Sequence, residues 1–94
     1  MSMKDAYVQK LQAQLDEWNA EIDKLKSKTD SAQADAKIEY YEQIDNLRKQ
    51  QLEAQARLNE LQNASETAWE DLKAGVESAW YSLESSVKKA SSRF

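Results

Sequence analysis

The sequence predicts an all-α protein, a long helix folded back on a shorter amphipathic one as a helical hairpin or coiled coil. Three observations carry that expectation. The 94 residues include one Gly and no Pro, and compact folds draw on those two residues for most of their turns. From Val8 onward the apolar residues step by three and four, the spacing of a heptad seam. Near the end, AWEDLKAGVES is followed directly by AWYSLESSVKK, so Ala68, Trp69, Leu72 and Val76 recur as Ala79, Trp80, Leu83 and Val87. Eleven residues make three turns at about 3.67 residues per turn, which draws one apolar stripe nearly straight down a helix.

The elements follow in order. Ser2 and Asp5 have capping-box form, a hydroxyl and then a carboxylate that can satisfy free amides, so a helix should begin near Met3. Its seam runs Val8, Leu11, Leu15, Trp18, Ile22, Leu25, Thr29, Ala32, Ala36. The stretch Ser27 to Gln33 holds several competent caps, Thr29, Asp30 and Ser31 among them. The seam nevertheless passes through it in phase, and no Gly or Pro turns the chain. A single continuous helix over about 3–62 is therefore expected. After Ala36 the steps lengthen to Tyr40 and Ile44, a stutter that would locally unwind a supercoil. Heptads resume at Leu47, Gln51, Ala54, Leu58 and Leu61.

A turn is expected at about 63–65, where Asn63 with Glu66 and Thr67 with Glu70 fit capping boxes. A second helix should cover about 66–90. Glu66, Glu70 and Asp71 crowd its start while Lys88, Lys89 and Arg93 crowd its end, the distribution a helix dipole favours. The tail 91–94 should fray. Gly75, between the two Trp residues, is read as a point of close packing.

The first helix would be roughly 90 Å long and the second about 37 Å, at 1.5 Å per residue. The shorter one can cover only the nearer part of the longer. Within that overlap the intramolecular stripe Trp69, Leu72, Val76, Trp80, Leu83, Val87 would meet Tyr40, Ile44, Leu47, Ala54, Leu58 and Leu61. The seam Val8, Leu11, Leu15, Trp18, Ile22, Leu25 would then have no partner in its own chain, and exposed apolar strips mark association. A homo-oligomer, an antiparallel dimer for preference, is expected to close over it. The alternative is a compact three-helix bundle, about 3–28, 32–62 and 66–90, that needs no second chain.

Composition narrows the chemistry. Neither His nor Cys occurs, which removes disulfides, thiolate nucleophiles, the usual zinc ligand sets and the ordinary general base. Acidic pairs such as Glu39 with Glu42, or Glu70 with Asp71, are what a solvated helix face normally carries. No catalytic, cofactor-binding or metal-binding residue is assigned, and no enzyme activity is expected. A formal net charge of −4 disfavours nucleic acid, which is held through excess Lys and Arg. No apolar run approaches the roughly 20 residues of a spanning helix, and no signal-peptide pattern precedes the first charges, so a cytoplasmic location is expected.

Three segments, YVQKLQAQLDEWNAEIDKL from Tyr7, AKIEYYEQIDNL from Ala36 and AWEDLKAGVESAW from Ala68, resemble a family of small bacterial coiled-coil proteins associated with stress response in cyanobacteria and proteobacteria. The resemblance spans nearly the full length. It implies a helical protein with a role under stress and brings no catalytic residue. Many relatives carry a Gly in the turn before the repeat, where this chain has Asn63-Ala64-Ser65.

Two functions are weighed. One is a non-catalytic, self-associating helical scaffold or stress-response interaction protein, its partner a second copy or another helical protein. The other is binding to a lipid or membrane surface through the eleven-residue amphipathic repeat. The acidic polar face, Glu66, Glu70, Asp71, Glu77 and Glu84, counts against the second, because such helices favour Lys and Arg.

Overall fold

The computed structural model describes residues 2–93, which form three α-helices and no strand: α1 (Met3–Asp30), α2 (Ala34–Gln62) and α3 (Trp69–Arg93). They run up, down and up. Asp23 pairs with Arg48 across α1 and α2, and Glu39 with Arg93 across α2 and α3. Tyr7 lies by Trp69 and Glu21 by Ser91, so α1 and α3 are parallel. The result is a rod of 51 × 20 × 18 Å.

The expected helix over 3–62 is corrected by a turn at residues 31–33. Its cause is legible in the apolar phase. The seam of α1 ends at Thr29 and would continue at Ala36, but the buried positions of α2, stepped back from Ile44 through Tyr40, arrive at 37. What reads as a stutter is a one-residue offset between two separate helices. Folding at the offset lets both seams face one core, and each large side chain so covered is worth roughly 1.5–3 kcal/mol before ordering costs.

The turn needs neither Gly nor Pro. Ser31, the C-cap of α1, has φ −92° and ψ −3°, and Gln33, the N-cap of α2, is extended at φ −70° and ψ 155°. Both conformations are open to any L-residue. Ser31 N–H donates to the Lys28 carbonyl and Ala32 N–H to that of Thr29, while Ala36 and Lys37 donate to Gln33. Thr29 is buried, and its hydroxyl donates to the Leu25 carbonyl at 2.9 Å, an arrangement that satisfies the group while weakening helix continuation.

The other ends follow their caps. Ser2 Oγ accepts from Asp5 N–H at 3.1 Å, as expected. The second connection is longer than the expected 63–65: residues 66–68 form a further turn, and the cap is Ser65, whose Oγ accepts from Ala68 N–H at 3.1 Å. Lys4 Nζ reaches across from α1 and donates to the carbonyls of Gln62 and Ala64 at 3.2 and 2.8 Å, closing the C-terminal end of α2. Ser91 to Arg93, expected to fray, are helical, held by Ser91 Oγ to Glu21 at 3.1 Å and by Arg93 to Glu39. Phe94 lies outside the described residues.

The core corrects the unpartnered seam as well. Val8, Leu11, Leu15, Ile22 and Leu25 are all buried within their own chain, in one cluster with α2 and α3, and Trp18 is partly buried against that cluster. In α3 the inward positions run 69, 73, 76, 80, 83, 87 and 90, a four-three alternation rather than an eleven-residue stripe. Leu83 is 0% exposed but its repeat counterpart Leu72 is 37% exposed. Lys73 occupies the inward position where the following turns place Trp80 and Val87, and Leu72 falls to the edge.

Gly75 is corrected too. A Cβ built there would meet nothing within 4 Å, so no close contact requires the glycine. Gly75→Ala is expected to raise stability by about 0.8–1 kcal/mol, moving Tm up by about 4–8 °C in a thermal melt.

Candidate functional site

Three helix pairs give three lateral seams, and they are closed to different degrees. Between α1 and α2 the flanking residues form a polar ladder. Gln12 and Gln55 exchange amide hydrogen bonds at 3.3 and 3.1 Å. Asn19 Oδ1 accepts from Arg48 Nη1 at 2.8 Å and from Gln51 Nε2 at 2.9 Å, and Arg48 also holds the Asp23 carboxylate. Gln51 stands at an inward heptad position yet keeps its amide satisfied, as a half-buried polar group must.

Between α1 and α3 the seam is closed by aromatic rings and one lysine. Tyr7 and Trp69 pack at 5.8 Å and 44°, and Trp18 and Trp80 at 6.1 Å and 50°. Lys73 Nζ lies 5.1 Å from the Tyr7 ring centroid and 5.8 Å from that of Trp69, within range of a cation–π attraction. This is how a lysine is accommodated at an inward position: its stem covers apolar surface and its charge rests against π-faces.

Tyr7 OH donates to Glu77 at 3.0 Å. Burial first, and then the Glu77 carboxylate, push the Tyr7 hydroxyl up to about 12. The folded state therefore favours the neutral phenol. The stability this contributes is fully present below pH 10 and is lost as pH rises from 10 through about 12. Alkaline denaturation followed by circular dichroism should be shallower over that window in Tyr7→Phe than in the parent.

Between α2 and α3 the helices pack closely at the core, but their outer flanking side chains leave a surface cleft. This cleft, of about 810 Å³, is lined by Gln43, Leu47, Lys49 and Gln50 of α2 and by Ser86, Lys89, Ala90 and Arg93 of α3. It continues past Gln50 into a second hollow of about 300 Å³ bounded by Glu53, Arg57, Gly75, Ser78, Ala79 and Ser82. The cause is local: α3 places Gly75, Ala79, Ser82 and Ser86 where bulky side chains would have filled the gap. Within the groove, Gln50 Oε1 is shut off from solvent and accepts no hydrogen bond. An unmet acceptor in such a place costs roughly 1–3 kcal/mol. Trp80 Nε1, in the core, is likewise without an acceptor.

The residues singled out from sequence thus separate. Val8, Leu11, Leu15, Ile22 and Leu25 come together with Val76, Trp80, Leu83 and Val87 as interior, not as an outer surface, while Leu72 stands at the edge. Gln50, Lys49 and the small residues of α3 were not anticipated. Their one visible signal is Gly75, Ala79, Ser82 and Ser86 recurring at steps of four, three and four between the apolar positions. Lys89 and Arg93 were read as complements to the helix dipole and as the basic end of a lipid-binding helix, not as lining a groove.

Among the described residues no group of three or more His, Cys, Asp or Glu is placed to hold a metal ion. No helix there is long and apolar enough to cross a membrane. Comparison with protein-family models, curated proteins and solved structures finds no match.

Proposed function

We propose that the protein is a non-catalytic helical interaction module whose working surface is the groove between α2 and α3. The observation that carries this reading is the cleft itself, about 810 Å³ between α2 and α3, bordered by Gln43, Lys49, Gln50, Ser86 and Lys89 and wide enough to take side chains of a further helix. The α1/α3 seam is covered by rings, and the α1/α2 seam holds a hollow of about 360 Å³ whose amides are matched to one another, so the larger cleft between α2 and α3 is the surface with most room for a partner. Self-association belongs to this surface rather than to Val8 through Leu25, which are spent on the core. A role under stress, drawn from the family resemblance, would set when the module is made and adds no residue to the surface.

The lipid-surface alternative drew on the Trp stripe. Trp69 and Trp80 are 6% and 5% exposed, so the indoles that would anchor in an interface are already covered.

The chain has no Cys, so a thiol can be placed at will. Ser82→Cys puts one in the groove, and Ala13→Cys puts one on the outer face of α1, as a control. Maleimide labelling is compared in dilute pure protein and in extract of the source cells. The groove reading expects position 82 to be protected in extract and position 13 to react equally in both. Equal reaction of position 82 in both settings and in concentrated pure protein would defeat it.

A further inference from the structure

Taking the groove as the working surface, we propose that its occupant is a second copy of the same chain, lying antiparallel, with each α3 laid in the other's groove about a two-fold axis at Ser82. The inference rests on how charge and bulk are distributed along the outer side of α3. The positions that line the groove in its middle, Gly75, Ser78, Ala79, Ser82 and Ser86, are small and uncharged; the same span also holds Tyr81, 75% exposed, and Glu84, whose carboxylate is held by Lys88 at 2.9 Å. The acidic end carries Asp71 and the basic end carries Lys89 and Arg93.

A two-fold axis at Ser82 pairs each position with its mirror image in sequence. Ser78 faces Ser86, Gly75 faces Lys89, and Asp71 faces Arg93, with every pair made twice. A parallel arrangement would instead set acid on acid and base on base. Arg93 is exposed, its pair with Glu39 of α2 at 3.9 Å, so its guanidinium can meet a second carboxylate beside the one it already faces. In this chain Gln50 lies across the groove from Ser82, so the second copy brings its small serine side chains to the level of Gln50, where bulk would not fit.

The extent is sufficient. From Asp71 to Arg93 is about 33 Å at 1.5 Å per residue, and two helices side by side are about 20 Å wide. The product, roughly 650 Å² per copy, approaches the ~800 Å² per partner of a standard-size interface. It is a modest area rich in small residues, so the dimer should form reversibly.

Two measurements test it on the full chain. Sedimentation equilibrium over a concentration series should show a monomer–dimer equilibrium that shifts toward monomer with added salt. Asp71→Lys and Arg93→Asp should each raise the dimer Kd by about tenfold or more, through two like-charge contacts apiece, and the double swap should restore it. Independently, Ser82→Cys should give a covalent dimer on mild oxidation, whereas Ala13→Cys should not. A chain that stays monomeric at the highest concentrations, with position 82 uncrosslinked but still protected in extract, overturns self-pairing and leaves the groove to another occupant. A dimer that is indifferent to the swaps and uncrosslinked at position 82 overturns the register. Absence of protection in extract and in concentrated pure protein alike overturns the groove itself.

Discussion

Ile22→Ser is expected to unfold the protein rather than merely to separate copies of it. Ile22 is 0% exposed, in one cluster with residues of α2 and α3. Truncating such a residue to Ala costs about 2–5 kcal/mol through lost transfer energy and the cavity left behind. A serine hydroxyl stranded there adds about 1–3 kcal/mol. A domain of this size holds of order 5–14 kcal/mol in total. The variant should lose most or all of its helical circular dichroism at room temperature, and sedimentation should report an expanded chain. Tyr81→Ser, at a site 75% exposed, should stay within about 0.5 kcal/mol of the parent. An Ile22→Ser chain as stable to urea as the parent would mean that α1 does not need its own chain's core.

The second large effect separates two leucines that the sequence makes equivalent. Leu83→Ala should cost about 2–5 kcal/mol, because Leu83 is 0% exposed with neighbours that cannot collapse fully into the gap. Leu72→Ala should cost under about 1 kcal/mol, because Leu72 at 37% exposure leaves much of its surface in water in the folded state. Urea midpoints measure both, with m unchanged if the unfolded state is unaltered. Equal losses would mean that the eleven-residue period, and not the four-three alternation, describes how α3 packs.

Those leucines show how far the chain could be read before its structure. Helix content, the start at Met3, the end of α2 near Gln62 and nearly every interior residue follow from apolar spacing and capping. The break at 31–33 does not, because a one-residue phase offset in heptads is indistinguishable in sequence from a stutter inside one helix. The turn itself uses right-handed and extended backbone that Ser31 and Gln33 supply without Gly. Missing that break left α1 without a partner and produced an outer seam from what is interior. Lys73 hid the α3 alternation, since a charged residue at an inward position reads as solvated until Tyr7 and Trp69 are seen beneath it. The groove was least legible of all. It arises from side chains that are too small, and an absence of bulk has no hydrophobic period to detect.

The up-down-up course has a mechanical consequence. Residue 2 and residue 93 sit at opposite poles of the rod, while Lys4 and Gln62 share one. Tension applied between residues 2 and 93 therefore acts along the long axis and loads the packed layers together in shear. Tension applied between residues 2 and 62 pulls α1 and α2 apart from one pole and can peel them a layer at a time. Since forced unfolding follows the barrier to opening rather than equilibrium stability, the same core should resist the first pull far longer than the second.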